Sequence, residues 1–237
     1  ASIEDKIRGI ARASIDAMIA TGGTCDFVHQ VSALYPLHVV MQILGVPHED
    51  EPLMLKLTQE MFGGEDPDLN RARSVELTPE QVTQFVIDAV RDFEGYFMQL
   101  AADRRANPRD DVATVIANAV IDGEPISDRN AAGYYIIVAA AGHDTTSAST
   151  AGAMWALAND PEQFARIKAD RSLLPGLIEE AIRWTTPVQH FMRTAAEDCE
   201  IGGQRIAKDD WLMLCYVSGN HDERVFPDPD RFDASRG

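Results

Sequence analysis

Residues 127–159 leave few folds open. The stretch starts on Ser127, a helix-capping residue, stays apolar or small from Tyr134 to Ala141, and stops at Asp160-Pro161. A helix apolar on nearly all sides belongs inside a protein, so the pattern predicts one long buried helix over 127–159 with the rest of the chain packed around it. Its middle breaks the pattern. Ala141-Gly142-His143-Asp144-Thr145-Thr146 puts a glycine, a carboxylate and two hydroxyls where each costs helix stability relative to alanine. Gly142 removes a side chain, so another group can approach the backbone. Thr145 can hydrogen-bond the carbonyl one turn back and open the helical ladder. Asp144 is a carboxylate in an apolar run, costly unless partnered. Singly, each fits an interrupted core helix with satisfied polar residues. Together they describe a groove in a helix with an acid and an alcohol beside it.

The rest of the first two-thirds also reads as helices. Apolar spacing predicts helices over 2–20, 34–44 and 49–62, stopped by Thr21-Gly22-Gly23, Gly45 and Gly63-Gly64 respectively. Residues 25–31 read as a short extended or irregular passage, and 66–76 as a polar loop. Thr78-Pro79-Glu80-Gln81 starts a helix by a definite mechanism: Thr78 caps, Pro79 takes the first helical position, and Gln81 can close a capping box. Val82, Phe85, Val86, Ala89, Val90, Phe93, Phe97 and Leu100 then form one apolar face. A shorter helix is expected over 110–121, ending at Asp122-Gly123. Asp160-Pro161-Glu162-Gln163 caps a further helix, and another runs over 173–184 until Pro187.

After Pro187 the character changes. Segments 188–196, 199–201, 204–206 and 211–217 are short and apolar or alternating, which reads as strands and hairpins, and 221–237 is an irregular Asp- and Pro-rich passage. The predicted fold is mainly α with a small β portion. It reads as one domain over 1–237, helical over 1–186 and built of strands and meander over 187–237.

Composition narrows the function. There are 38 acidic against 21 basic side chains, a formal net charge of −17, which argues against nucleic acid and anionic membranes as partners. Cys25, Cys199 and Cys215 are scattered and odd in number, which points to a reducing cytoplasm and away from a disulfide framework or structural zinc site.

Two further motifs complete the chemistry. Glu180-Ala181-Ile182-Arg183 sets an acid and a base on one helix face, and Phe226-Pro227-Asp228-Pro229-Asp230-Arg231-Phe232 fixes an extended path around Arg231. Either alone is ordinary. In the order Gly142-x-Asp144-Thr145-Thr146, then Glu180-x-x-Arg183, then Pro229-Asp230-Arg231-Phe232, the chain resembles the bacterial cytochrome P450 family of haem-thiolate monooxygenases over essentially its whole length. Tyr35 to Met41, Leu44-Gly45-Val46-Pro47 and Arg183-Trp184-Thr185 look most like the members that hydroxylate α-terpineol.

The resemblance implies the central part of the cytochrome P450 fold, with 127–159 as the helix on the distal side of haem b (iron protoporphyrin IX). It implies that Asp144 and Thr145 relay protons during oxygen activation, that Ala141 and Gly142 border the cofactor, and that Arg193 pairs with a haem propionate. Glu180, Arg183 and Arg231 match a bracing triad. Val188 and Phe191, with the loop 66–76, are expected to shape a pocket for a small apolar substrate such as a monoterpenoid. Electrons would come from NAD(P)H through a ferredoxin reductase and a ferredoxin. No cysteine here has the context of the family's iron ligand, so the metal is expected to be held by a cysteine beyond Gly237 and by none in this chain.

Two other readings compete. A helical scaffold could bind a small apolar ligand without catalysis. Alternatively, His143-Asp144 and His221-Asp222, with His29, His38 and Asp228, could form the metal site of an HD-type phosphohydrolase.

Overall fold

The computed structural model describes residues 3–74 and 76–236. Val75, in the expected loop 66–76, lies outside the described residues. The chain divides into two units, Ala1–Ser147 and Ala148–Gly237.

The first unit holds α1 (Ile3–Ala20), α2 (Leu34–Leu44), α3 (Glu51–Phe62), α4 (Pro79–Ala106), α5 (Val112–Ala117) and α6 (Asp128–Ala141). Its core is aromatic where the long α4 meets α6. Phe93 stacks on Phe97 at 5.9 Å and Phe97 on Tyr135 at 5.3 Å. Tyr135 is fully buried, and its hydroxyl donates to the Ala113 carbonyl at 2.6 Å, which satisfies the one polar atom such a ring brings inside. Ala131, Ala132, Ala139 and Ala140 make the rest of the buried face of α6, small enough to sit against neighbouring helices. Leu37, Met41 and Leu44 of α2 join Met54 and Leu57 of α3 in the same core.

The capping box forms as its residues dictate: the Gln81 amide donates to Thr78 Oγ1 and the Thr78 amide to Gln81 Oε1. Of the apolar face of α4, Ala89, Phe93, Phe97 and Leu100 are fully buried, while Val82, Phe85, Val86 and Val90 are half-buried. The stripe expected on α1 is not buried at any position.

Several boundaries differ from the sequence reading. Residues 25–31 are not extended: Asp26 caps a π-type turn over Val28–Ser32, accepting from the His29 amide at 3.1 Å and pairing with His29 Nδ1 at 2.8 Å. The helix expected over 110–121 stops at Ala117. Val120–Ile121 (β1) instead pairs with Glu124–Pro125 (β2) around Asp122 and Gly123, both at positive φ (52° and 85°), the conformation a two-residue hairpin turn demands.

The largest difference concerns 127–159. Its ends stand where the sequence puts them, Ser127 capping through the Asn130 amide, but the single helix is two: α6, and α7 over Asp144–Asn159, separated by a turn at Gly142-His143. At 14 and 16 residues, both are shorter than the 28-residue α4. Burial is one-sided. Tyr134, Ile137 and Trp155 are exposed, and only Ala156 and Leu157 of α7 are fully buried. The polar residues that made the middle a poor helix are the ones at the break.

The second unit contains most of α7, then α8 (Pro161–Ala169), α9 (Leu174–Thr185), β3 (His190–Thr194), β4 (Cys199–Ile201), β5 (Gln204–Ile206), β6 (Trp211–Cys215) and α10 (Tyr216–Asn220). β4 and β5 match the sequence reading. β3 and β6 pair antiparallel, Phe191 opposite Leu214 and Arg193 opposite Leu212, and the strand expected to reach 217 turns into α10. Trp184 stacks on Trp155 at 5.6 Å and meets Phe232 edge-on at 6.0 Å, so the Pro-rich passage is packed onto α9. Among the described residues no helix is long and apolar enough to cross a membrane.

Candidate functional site

The break between α6 and α7 is built by three residues. The Thr145 hydroxyl donates to the Ala141 carbonyl at 2.8 Å, back across the turn that separates the two helices. Gly142 has a steric reason. A Cβ there would lie 2.7 Å from Val40 Cγ2 of α2, so the close approach that the sequence requires is to a side chain of this same unit.

His143 pins the turn. It is 1% exposed, and its Nε2 donates to the Ala33 carbonyl at 2.8 Å, between α2 and the π-type turn. A carbonyl only accepts, so Nε2 carries the hydrogen and Nδ1 of a neutral ring is an acceptor. Nδ1 lies 3.0 Å from Asp144 Oδ1, close enough for an ion pair, yet it makes no well-aligned hydrogen bond. Asp144, with about a third of its side chain exposed, therefore has a fixed partner on one side and solvent on the other. The sequence reading took His143 only as part of a dipeptide; its contact with Ala33 depends on tertiary packing.

In the second unit, Glu180 and Arg183 form a buried bidentate pair, Nε to Oε2 at 2.7 Å and Nη2 to Oε1 at 2.9 Å. Arg183 Nη1 also donates to the Asn220 carbonyl at 2.7 Å, and its guanidinium lies over the Phe226 ring at 5.2 Å. Glu180 Oε1 accepts the Asp233 amide at 2.8 Å and Arg236 Nε at 3.2 Å. Burial works to raise the Glu180 pKa, but the donors from Arg183, Asp233 and Arg236 outweigh it and hold the carboxyl below its ordinary value.

The third member expected here was Arg231, and the structure differs. The Arg231 side chain is exposed, and only its carbonyl takes part, accepting from Arg183 and Arg236. Arg236 is the second cation on Glu180. Four residues separate the two arginines, and the turn at Asp233-Ser235, closed by Ser235 donating to Asp233, brings the later one back.

Arg193 sits on β3, exposed, with its guanidinium 5.8 Å over the Phe191 ring and Nη1 on the Met192 carbonyl. Among the described residues it has no carboxylate partner. A cation in that state suits an anionic group such as a propionate. Phe191 is exposed and meets Tyr216 edge-on at 6.2 Å, while Val188 is half-buried after Pro187. The loop 66–76 is held by buried Asn70, whose Nδ2 donates to the Asp66 and Ser74 carbonyls. Ser74, Leu77 and Val82 line a cleft of about 380 Å³ beside it. Cys25 is half-buried, and Cys199 and Cys215 are exposed.

The HD-type reading finds no cluster. His221 pairs with Asp230 at 2.9 Å, and Asp222 is held by Arg224 at 2.6 Å. Among the described residues the one triplet of potential metal ligands contains neither dipeptide.

Comparison with known proteins agrees with the motifs. The cytochrome P450 family model matches residues 13–236. Cytochrome P450-terp of Pseudomonas sp is 46% identical over 234 residues, 99% of this chain and 55% of that protein. Linalool 8-monooxygenase of Pseudomonas putida is 36% identical, again over 99% of this chain and 55% of the relative. The crystal structure of CYP108D1 from Novosphingobium aromaticivorans superposes with a TM-score of 0.84 at 63% identity, covering 98% of this chain and 53% of that one. Mycobacterium marinum CYP268A2 in complex with pseudoionone gives a TM-score of 0.90 at 32% identity, over 99% of this chain and 55% of that one. The chain spans about half the length of the relatives it matches, and it belongs to the cytochrome P450 family.

Proposed function

We propose that this chain is the central part of a haem-dependent monooxygenase that inserts one oxygen atom from dioxygen into a small apolar substrate, a monoterpenoid alcohol being the favoured class. The observation that carries the reading is the α6–α7 break, where Asp144 and Thr145 stand side by side and Thr145 Oγ1 is held 2.8 Å from the Ala141 carbonyl. Family membership, with relatives named for P450-terp and linalool 8-monooxygenase activity, supports it. The residues present suit the cofactor. Ala141 is exposed beside the break, and Arg193 is a cation without a carboxylate partner among the described residues.

Haem, when bound, supplies the binding and reductive activation of dioxygen. The protein has to hold and deliver protons. The Thr145 hydroxyl spends its hydrogen on Ala141, so it can pass a proton onward only by turning from that carbonyl while accepting another. Asp144, partly exposed, is placed to collect that proton from solvent, and His143 fixes the backbone from which it does so. Ala141 and Gly142 keep that helix surface low, and Arg193 would anchor a propionate by a charge-assisted contact. Val188 and Phe191 are proposed to line the substrate pocket. NAD(P)H, a ferredoxin reductase and a ferredoxin are the proposed electron route, in the cytoplasm, and 1–237 is proposed to act as part of one catalytic domain.

The test is Thr145→Ala in the full-length protein that contains this chain, with a monoterpenoid alcohol as substrate. Binding should survive while most reducing equivalents are diverted to peroxide, so that product per NAD(P)H falls several-fold. Product yield per NAD(P)H equal to that of the parent protein would remove Thr145 from the proton relay.

A further inference from the structure

In the first unit, and independently of the proposed function, three ligand-type side chains converge away from the α6–α7 break. His38 lies on α2, His48 in the 3-10 turn His48–Asp50, and Glu51 at the start of α3. Both imidazoles place Nδ1 on the same carboxylate oxygen: His48 Nδ1 is 2.9 Å from Glu51 Oε2, and His38 Nδ1 is closer still. One donor atom from each residue lies within 4.8 Å of the others. The Glu51 side chain is 8% exposed, that of His38 30% and that of His48 82%, so the cluster has a buried floor and an open side. That side faces an open cleft of about 570 Å³ lined also by Ile10, Gln42 and Val46.

Backbone geometry holds the three together. Gly45 ends α2 at φ 88°, which a side chain would strain, and a Cβ there would also strike the Asp111 carboxylate at 2.3 Å. The reversal returns the chain so that His48 meets His38 across the turn, their ring centroids 5.6 Å apart. Asp50 is fixed by the Tyr96 hydroxyl of α4, which donates to Oδ2 at 2.7 Å. Rigid helices on both sides thus position the ligand set.

We infer that His38, His48 and Glu51 form a binding site for a zinc-type divalent transition-metal ion. Two imidazole nitrogens and one carboxylate oxygen are the donor set such an ion takes, at about 2.0–2.2 Å each, which puts ligand atoms about 3.3 Å apart in a tetrahedron. Both contacts to Oε2 have to widen, the 2.9 Å one by only a few tenths of an ångström and the shorter His38 one by more, and the exposed His48 and partly exposed His38 side chains can supply that movement. Two hydrogen-bond donors crowd one oxygen of a nearly buried carboxylate. A dication between the three groups would replace both hydrogens and neutralise that charge directly. Three protein ligands leave a fourth position toward the cleft, open to water or to an anionic ligand. Calcium and magnesium, which prefer oxygen shells, fit this set poorly.

Isothermal titration of the chelator-stripped chain with Zn²⁺ at neutral pH, alongside Co²⁺ absorption spectroscopy, tests the site. The expected result is one tight Zn²⁺ per chain, unaffected by excess Mg²⁺. Co²⁺ should give tetrahedral visible bands without the near-ultraviolet charge transfer of a thiolate. His48→Ala, whose side chain is mostly exposed and whose loss leaves the fold intact, should weaken binding by more than about tenfold, and Glu51→Gln should do the same. The inference is overturned by parent-like affinity in His48→Ala, by a thiolate band that moves the ion to Cys25, Cys199 or Cys215, or by no saturable Zn²⁺ binding in the parent chain.

Discussion

Glu180→Ala is the perturbation whose cost the geometry bounds best. The Glu180 carboxylate is 2% exposed and accepts four donors: two from Arg183, one from the Asp233 amide and one from Arg236. Removing it leaves the Arg183 guanidinium, 7% exposed, without a counterion, and breaking a buried pair from one side costs about 3–5 kcal/mol. The stranded Asp233 amide adds about 1 kcal/mol, while the Asn220 carbonyl still accepting from Arg183 offsets part of the total. A loss near 4 kcal/mol is expected. All three tryptophans, Trp155, Trp184 and Trp211, lie in the second unit, so urea titration followed by tryptophan fluorescence reads this unit selectively. Arg236→Ala should cost about 1–2 kcal/mol, and Arg231→Ala, at an exposed guanidinium, less than about 0.5 kcal/mol. The reasoning fails if Glu180→Ala costs under 1 kcal/mol, or if Arg231→Ala costs as much as Arg236→Ala.

The acid dependence follows from the same group. Glu180 has a lowered folded-state pKa, so its contribution is complete above the ordinary glutamate value of 4.5 and is lost as pH falls through the lower folded value. Glu180→Gln should therefore flatten the acid limb of stability below about pH 4.5; a limb as steep as the parent's would contradict this. At the α6–α7 break, Gly142→Ala drives a Cβ to 2.7 Å from Val40 Cγ2, an overpacking of about 1–3 kcal/mol. The second change Val40→Ala should relieve most of that strain, and a thermal melt by far-ultraviolet circular dichroism showing no relief would mean the clash is not the cause.

Local signals carried most of the fold. Thr78-Pro79-x-Gln81 specified its capping box because every atom involved lies within four residues, and Gly45 marked the end of α2 because glycine takes a left-handed φ without the strain a side chain brings. The failures have equally local reasons. Asp122-Gly123 was a hairpin signal that lost to the helical spacing before it. Asp26 was a cap whose partner, His29, is polar and carried no periodicity. For the candidate site, the helix break was visible in Gly142 to Thr146 as residues unsuited to a helix, while what fills the space at Gly142 was not, because Val40 is distant in sequence. Arg236 escaped for the same reason: the family pattern drew attention to Arg231, and only the turn at Asp233 shows which guanidinium reaches Glu180. His38 and His48 meet only because Gly45 reverses the chain, a tertiary fact that no spacing rule contains.

The central claim is that the residues of this chain serve a haem-thiolate monooxygenase. Its most direct test is turnover of the full-length protein containing residues 1–237 with a monoterpenoid alcohol under ¹⁸O₂, following the product by mass spectrometry. The account predicts a hydroxylated product carrying one ¹⁸O atom, formed only by haem-loaded protein whose reduced form gives a thiolate-type carbon monoxide spectrum. A folded, haem-loaded protein that lacks that spectrum, or a product whose new oxygen comes from water, would contradict it.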